Sequence, residues 1–155
     1  MQEKTKSLIV SILIPIAVGA LAGLITRSGM ADYQGLQKPF LNPPMIVFPI
    51  VWNILYILMG ISSWLVSQSH SPAKSGALFI YGVQLAFNFL WTILFFGLEL
   101  RLLAFIWLLL LIILIVWMIV KFYRVKPLAG VLQIPYLLWS SFAAYLNIMV
   151  YLLNR

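Results

Sequence analysis

The chain has 155 residues, 64% of them hydrophobic and 8% charged, with a net charge of +7 and no cysteine. A soluble domain of this length cannot bury so much apolar surface, which leaves an integral membrane protein. Disulfides and thiolate chemistry are excluded, and the ten Lys and Arg sit at the ends of apolar runs rather than on one face, against a nucleic-acid partner.

Five uncharged apolar runs follow in order, at residues 7–26, 45–67, 76–98, 102–120 and 127–153. Each reaches the ~20 residues that cross the hydrocarbon core, and none alternates like a barrel strand. The predicted architecture is all-α, a bundle of five transmembrane helices forming a single domain over residues 1–155. Pro15, Gly19 and Gly23 in the first run suit a packed helix rather than a cleaved leader. Lys4, Lys6, Lys74, Lys121, Arg124 and Lys126 fall on the N-terminal side, and Arg27, Lys38, Arg101 and Arg155 on the other. That asymmetry favours a cytoplasmic N-terminus.

The connection "RSGMADYQGLQKPFLN", Arg27 to Asn42, is long and without periodicity. It contains Tyr33, Phe40 and Leu41, which disordered linkers avoid, and Pro39, Pro43 and Pro44 stiffen its base. We expect a folded lid over one mouth of the bundle.

The second run presents Trp52, Tyr56 and Met59 on one face, with Gly60 alongside. In the third, "VQLAFNFLW" places Gln84, Asn88 and Trp91 within roughly 60° of one another on a helix. In the fifth, "PYLLWSSFAAYLN" puts Tyr136, Trp139, Ala143 and Asn147 on one side, with Phe142 and Leu146 at the flank. A lipid-facing amide lacks partners, so the three stripes should face inward. They serve either as interhelical glue through Asn53, Gln84, Asn88 and Asn147, or as the lining of a cavity. Aromatics edged with amides suit a large, flat, mostly apolar ligand, for which Ala143 and Gly60 leave room.

The fourth run, "LLAFIWLLLLIILIVWMIV", carries no amide and reads as a lipid-facing wall whose Trp107 and Trp117 pack or anchor. On the third run Gly82 and Ala86 form a small-xxx-small pair on the far side from Gln84, the expected seam of a homodimer. Gly19 and Gly23 form the rival pair. His70 lies in loop composition, and Glu3, Asp32 and Glu99 all lie outside the runs. No buried carboxylate, imidazole or thiol is offered for acid–base or nucleophilic catalysis, and no residue set for a metal.

The segments "NPP" at Asn42–Pro44, "WNILYILMG" at Trp52–Gly60, "QLAFNFLWTILFFG" at Gln84–Gly97 and "PYLLWSSFAAYLN" at Pro135–Asn147 resemble the TspO/MBR family of tryptophan-rich sensory and translocator proteins. Leu41 stands where the family commonly has a tryptophan. The resemblance implies a multi-pass protein, here of a bacterial cell membrane, with a pocket under the first loop. It implies binding of porphyrins and of isoquinoline carboxamide or benzodiazepine drugs, in porphyrin sensing or handling. Light-dependent porphyrin breakdown and porphyrin or sterol transport are the alternatives. By motif match, the tryptophans of such photochemistry would be Trp52 and Trp139, and Leu146, Tyr151 and Arg155 fit a short sterol-binding pattern of animal members.

Stripes and lid together give the expected ligand contacts: Tyr33 and Pro43 from the lid, Trp52 and Tyr56 from the second run, and Gln84, Asn88 and Trp91 from the third. Trp139, Phe142, Ala143 and Asn147 complete them from the fifth. Arg27 and Lys38 lie near enough to meet porphyrin carboxylates, or else snorkel as interface cations. No cofactor is required. With no Cys and one loop His to ligate haem iron, a metal-free porphyrin is the expected ligand.

Overall fold

A computed structural model describes all of residues 1–155. It is helical throughout: α1 (Gln2–Ile25), α2 (Arg27–Tyr33), α3 (Val47–Ser67), α4 (Lys74–Thr92), α5 (Arg101–Val125), α6 (Pro127–Val131) and α7 (Ile134–Leu153). A π-helical turn, Ile93–Gly97, extends α4. Five segments are long and apolar enough to cross a membrane: α1, α3, α4 with its π turn, α5, and α6 with α7. The protein is a multi-pass integral membrane protein.

Helix ends overrun the apolar runs where the flanking residues are charged. α1 begins at Gln2 and takes in Glu3, Lys4 and Lys6, and α5 continues through Lys121 and Arg124. Backbone hydrogen bonding does not stop at the hydrocarbon boundary, and long cationic side chains reach outward from the last turns. The fifth run is broken instead. Pro135 has no N–H to give the carbonyl of Val131, and the chain steps from α6 to α7 through Leu132 and Gln133.

α1 packs on α3, α4 on α5, and α5 on α7, while α3 also meets α4 and α6. α3 and α7 make little close backbone contact and meet mainly through side chains. The closeness of α1 and α3 rests on Gly60. A Cβ there would overlap Cα of Ile12 and lie 2.8 Å from the Ser11 carbonyl oxygen. The room expected at Gly60 is therefore taken by α1, not left for a ligand. Gly19 receives the Tyr56 ring in the same contact.

One seam of α5, Ala104, Leu108, Leu111, Ile115, Met118 and Phe122, is fully buried, and its opposite face is exposed at Leu109, Leu110, Ile113 and Val116. A wall with one lipid-facing side is the result. Trp107 ties it to α4: its Nε1 donates to the Phe87 carbonyl at 2.9 Å and its ring stacks on Phe87 at 4.3 Å. Trp117 is half exposed, with the Lys121 ammonium 5.8 Å from its ring centroid, as a headgroup-level anchor would be. The usual soluble pattern is inverted: apolar residues cover the outside while Gln84, Asn88, Gln133, Ser140 and Asn147 are buried.

Candidate functional site

The three stripes meet between α3, α4 and α7. At their centre is the hydroxyl of Tyr136, which accepts from Asn88 Nδ2 at 2.8 Å and donates to Gln84 Oε1 at 2.7 Å. One turn nearer the lid, Trp91 Nε1 donates to Asn147 Oδ1 at 3.0 Å, and Asn147 Nδ2 donates to the Arg101 carbonyl at 2.8 Å. Each amide sits where the helix period puts it on the inner face, and each finds a partner on another helix. Asn53 does not join them. It is exposed and returns its Nδ2 to the Pro49 carbonyl on its own helix, which satisfies an amide that faces outward.

Against this polar core lies an aromatic column. Trp52 has ring centroids of Tyr56, Trp91 and Tyr136 at 5.8, 6.3 and 6.3 Å. Trp91 stacks on Phe95 at 5.5 Å, and Phe95 meets Tyr33 of the lid at 5.6 Å. Aromatic contact thus runs from lid to bundle centre. Trp139 and Phe142 form a second group: Trp139 lies 5.9 Å from Phe48 across the α3–α7 seam and 5.6 Å from Phe142. Ala143 is buried on the inner face of α7. Three buried polar atoms along these walls have no partner in the protein: Gln84 Nε2, Trp139 Nε1 and Ser140 Oγ.

The lid is folded and clasped. α2 lies on the π turn, where a Cβ at Gly29 would overlap the Phe96 carbonyl oxygen, so only glycine permits the approach. Tyr33 packs edge-on to Phe96 at 5.4 Å and donates to Asn42 Oδ1 at 3.4 Å. Burial raises its phenol above the ordinary value, opposed by the charge of Arg101, and it stays a neutral donor. Asn42 Nδ2 in turn donates to the Pro43 carbonyl at 3.1 Å. Lys38 places its ammonium on the carbonyls of Gln34 and Leu36, 5.0 Å from the Tyr33 ring centroid, while Arg27 is exposed. The far end is held by Asn154, whose Oδ1 accepts from the Gln37 N–H at 2.9 Å and whose Nδ2 donates to the Gln37 carbonyl at 2.8 Å.

Of the sterol-type residues, Leu146 turns into the core, whereas Tyr151 and Arg155 line a groove at the lid end. Gly82 and Ala86 face out beside Val18 and Leu21 of α1, and a Cβ at Gly82 would meet nothing within 4 Å. Sequence reasoning missed Phe95 and Phe96, because a π turn shifts the helical register. It also missed Asn154, whose partner is 117 residues away.

The description of the TspO/MBR family matches residues 11–152. A tryptophan-rich sensory protein of Cereibacter sphaeroides is 39% identical over 127 residues, 79% of this chain and 76% of its own. The tryptophan-rich protein TspO of Archaeoglobus fulgidus is 36% identical over 148 residues, 95% and 96% of the two chains. The translocator protein of Homo sapiens is 39% identical over 140 residues, 87% and 83%.

The clasp gives a direct expectation. Asn154→Ala removes both hydrogen bonds to Gln37, each worth about 1 kcal/mol, and should speed amide hydrogen exchange at Gln37 by roughly tenfold or more. Exchange at the wild-type rate would mean that something else closes the lid.

Proposed function

The chain belongs to the TspO/MBR family, and from that premise we propose that it is a membrane receptor for porphyrins, taken up between α3 and α7 beneath the lid. The observation that carries this reading is the α3–α7 seam. Its two helices make little close backbone contact, its walls are the rings of Trp52 and Trp139, and the buried donors Gln84 Nε2 and Trp139 Nε1 lack acceptors. A flat ring separates aromatic side chains at little cost, because stacking on the ligand replaces stacking between them. Tyr33, Pro43, Tyr56, Asn88, Trp91, Phe142, Ala143 and Asn147 complete the site. Isoquinoline carboxamide and benzodiazepine drugs share the shape and the acceptor that this seam would take. We place the protein in a bacterial cell membrane with a cytoplasmic N-terminus. Names among its relatives, a sensory protein and a translocator, fit handling of such a ligand.

Ala143→Leu should lower affinity for a metal-free dicarboxylic porphyrin by roughly tenfold through lost space, with helicity unchanged by circular dichroism. Unaltered quenching of tryptophan fluorescence on titration would place the ligand elsewhere. A second reading, light-dependent porphyrin breakdown, draws on the contact of Trp52 with Trp91, since neighbouring indoles suit electron donation to an excited ring. Illuminated protein should then bleach porphyrin faster than detergent alone, and Trp52→Phe with Trp139→Phe should abolish the difference.

The assembly in this proposal is a homodimer through Gly82 and Ala86. Gly82 is open, whereas of the rival pair Gly19 is committed to Tyr56 inside its own bundle and only Gly23 is open. In this cysteine-free chain, Gly82→Cys should give a disulfide-linked dimer in membranes and Gly19→Cys should not. The reverse pattern would contradict the assignment.

A further inference from the structure

At the lid end, the start of α5 and the end of α7 enclose a groove of about 490 Å³. Its chemistry is divided. Arg101, Arg155, Tyr151 and Asn154 supply donors, and Glu99 is the carboxylate among them. Leu102 and Leu103, both exposed, carry the groove onto the lipid-facing side of α5, where Ile106 and Leu110 are exposed in turn. A polar recess that opens at the membrane boundary onto an apolar stripe has the form of one phospholipid, headgroup in the recess and acyl chain along the helix.

One feature separates it from ordinary anchoring. An interface arginine snorkels, keeping its guanidinium in water. Arg101 does so only in part: its Nε is buried without an acceptor, and the guanidinium carbon lies 5.6 Å from the Phe95 ring centroid, while the residue as a whole lines the groove. A buried Nε–H without an acceptor is destabilising until one reaches it, and a phosphate oxygen, which can take Nε and a groove-facing Nη together, is the strongest available at a membrane surface. The turn that delivers Arg101 is itself strained, since Glu99 adopts the left-handed conformation at φ 57.

We propose that this groove binds an anionic phospholipid, its phosphate between Arg101 and Arg155, and that occupancy steadies the lid. The link is Asn154, which lines the groove and holds Gln37 by both of its side-chain atoms. Nothing in this requires a ligand in the α3–α7 seam.

The test is retention of lipid by the purified protein in neutral detergent, read by native mass spectrometry. Phosphatidylglycerol and phosphatidylcholine of matched chains are compared, with inorganic phosphate as a separate arm. Phosphatidylglycerol should be retained at least about tenfold better, and should slow hydrogen exchange at Gln37. Arg101→Gln with Arg155→Gln should erase the preference, while Lys4→Gln at the opposite end should keep it. Arg155→Gln alone, an exposed change, should weaken it at least about threefold if the double variant fails to fold. Equal retention of the two lipids, or a preference that survives the arginine changes, would overturn the proposal. So would inorganic phosphate that slows exchange at Gln37 as well as the lipid does, because the site would then be one for free anions.

Discussion

A single phenolic hydroxyl organises the interior. Tyr136 takes a hydrogen bond from Asn88 and gives one to Gln84, and so joins α7 to α4, two helices that make little close backbone contact. Lipid offers no hydrogen bonds at that depth, so an amide without a protein partner is destabilising by more than it would be at a soluble surface. The hydrogen bonds need not be strong to matter. They decide which way each helix is turned, and everything else about the interior follows from that rotation.

With Gln84 and Asn88 turned inward, Trp91 is brought inward too, onto Asn147 and against Trp52 and Phe95. The column of rings then extends to Tyr33, and the lid rests on its end. The outer face of α4 is left with Gly82 and Ala86, the smooth strip proposed as the dimer seam. On the opposite flank, α5 needs no polar residue because it contributes only a seam to the core and a wall to the lipid. The proposed ligand seam, the support of the lid and the proposed dimer face thus all depend on one helix being held in one rotation.

Much of this was legible in the sequence, for a reason specific to membranes. In a soluble protein Gln84 and Asn88 would say little, since polar residues are common on any surface. In an apolar run each one must be satisfied, and the helix period then says which side it takes. The five spans and the lid-bearing loop were legible on the same ground. Gly60 was misjudged because a glycine reports closeness without saying to what; here α1 fills the space. Asn53 was grouped with the inward amides although its own helix supplies an acceptor four residues back. The π turn that doubles Phe95 with Phe96, the break at Gln133 and the Asn154 clasp were not legible. Each depends on backbone geometry or on a contact far away in the chain, and residue type carries neither.

The Tyr136 hydroxyl and the α4 amides act as one unit. A double-mutant cycle between Tyr136→Phe and Asn88→Ala, measured by detergent-induced unfolding in mixed micelles, tests it most directly. The two changes should be coupled by roughly 0.5–2 kcal/mol, because the second removes a bond already lost to the first. Strict additivity, with the two losses summing in the double variant, would show that the hydroxyl and the amide do not hold the helices in register.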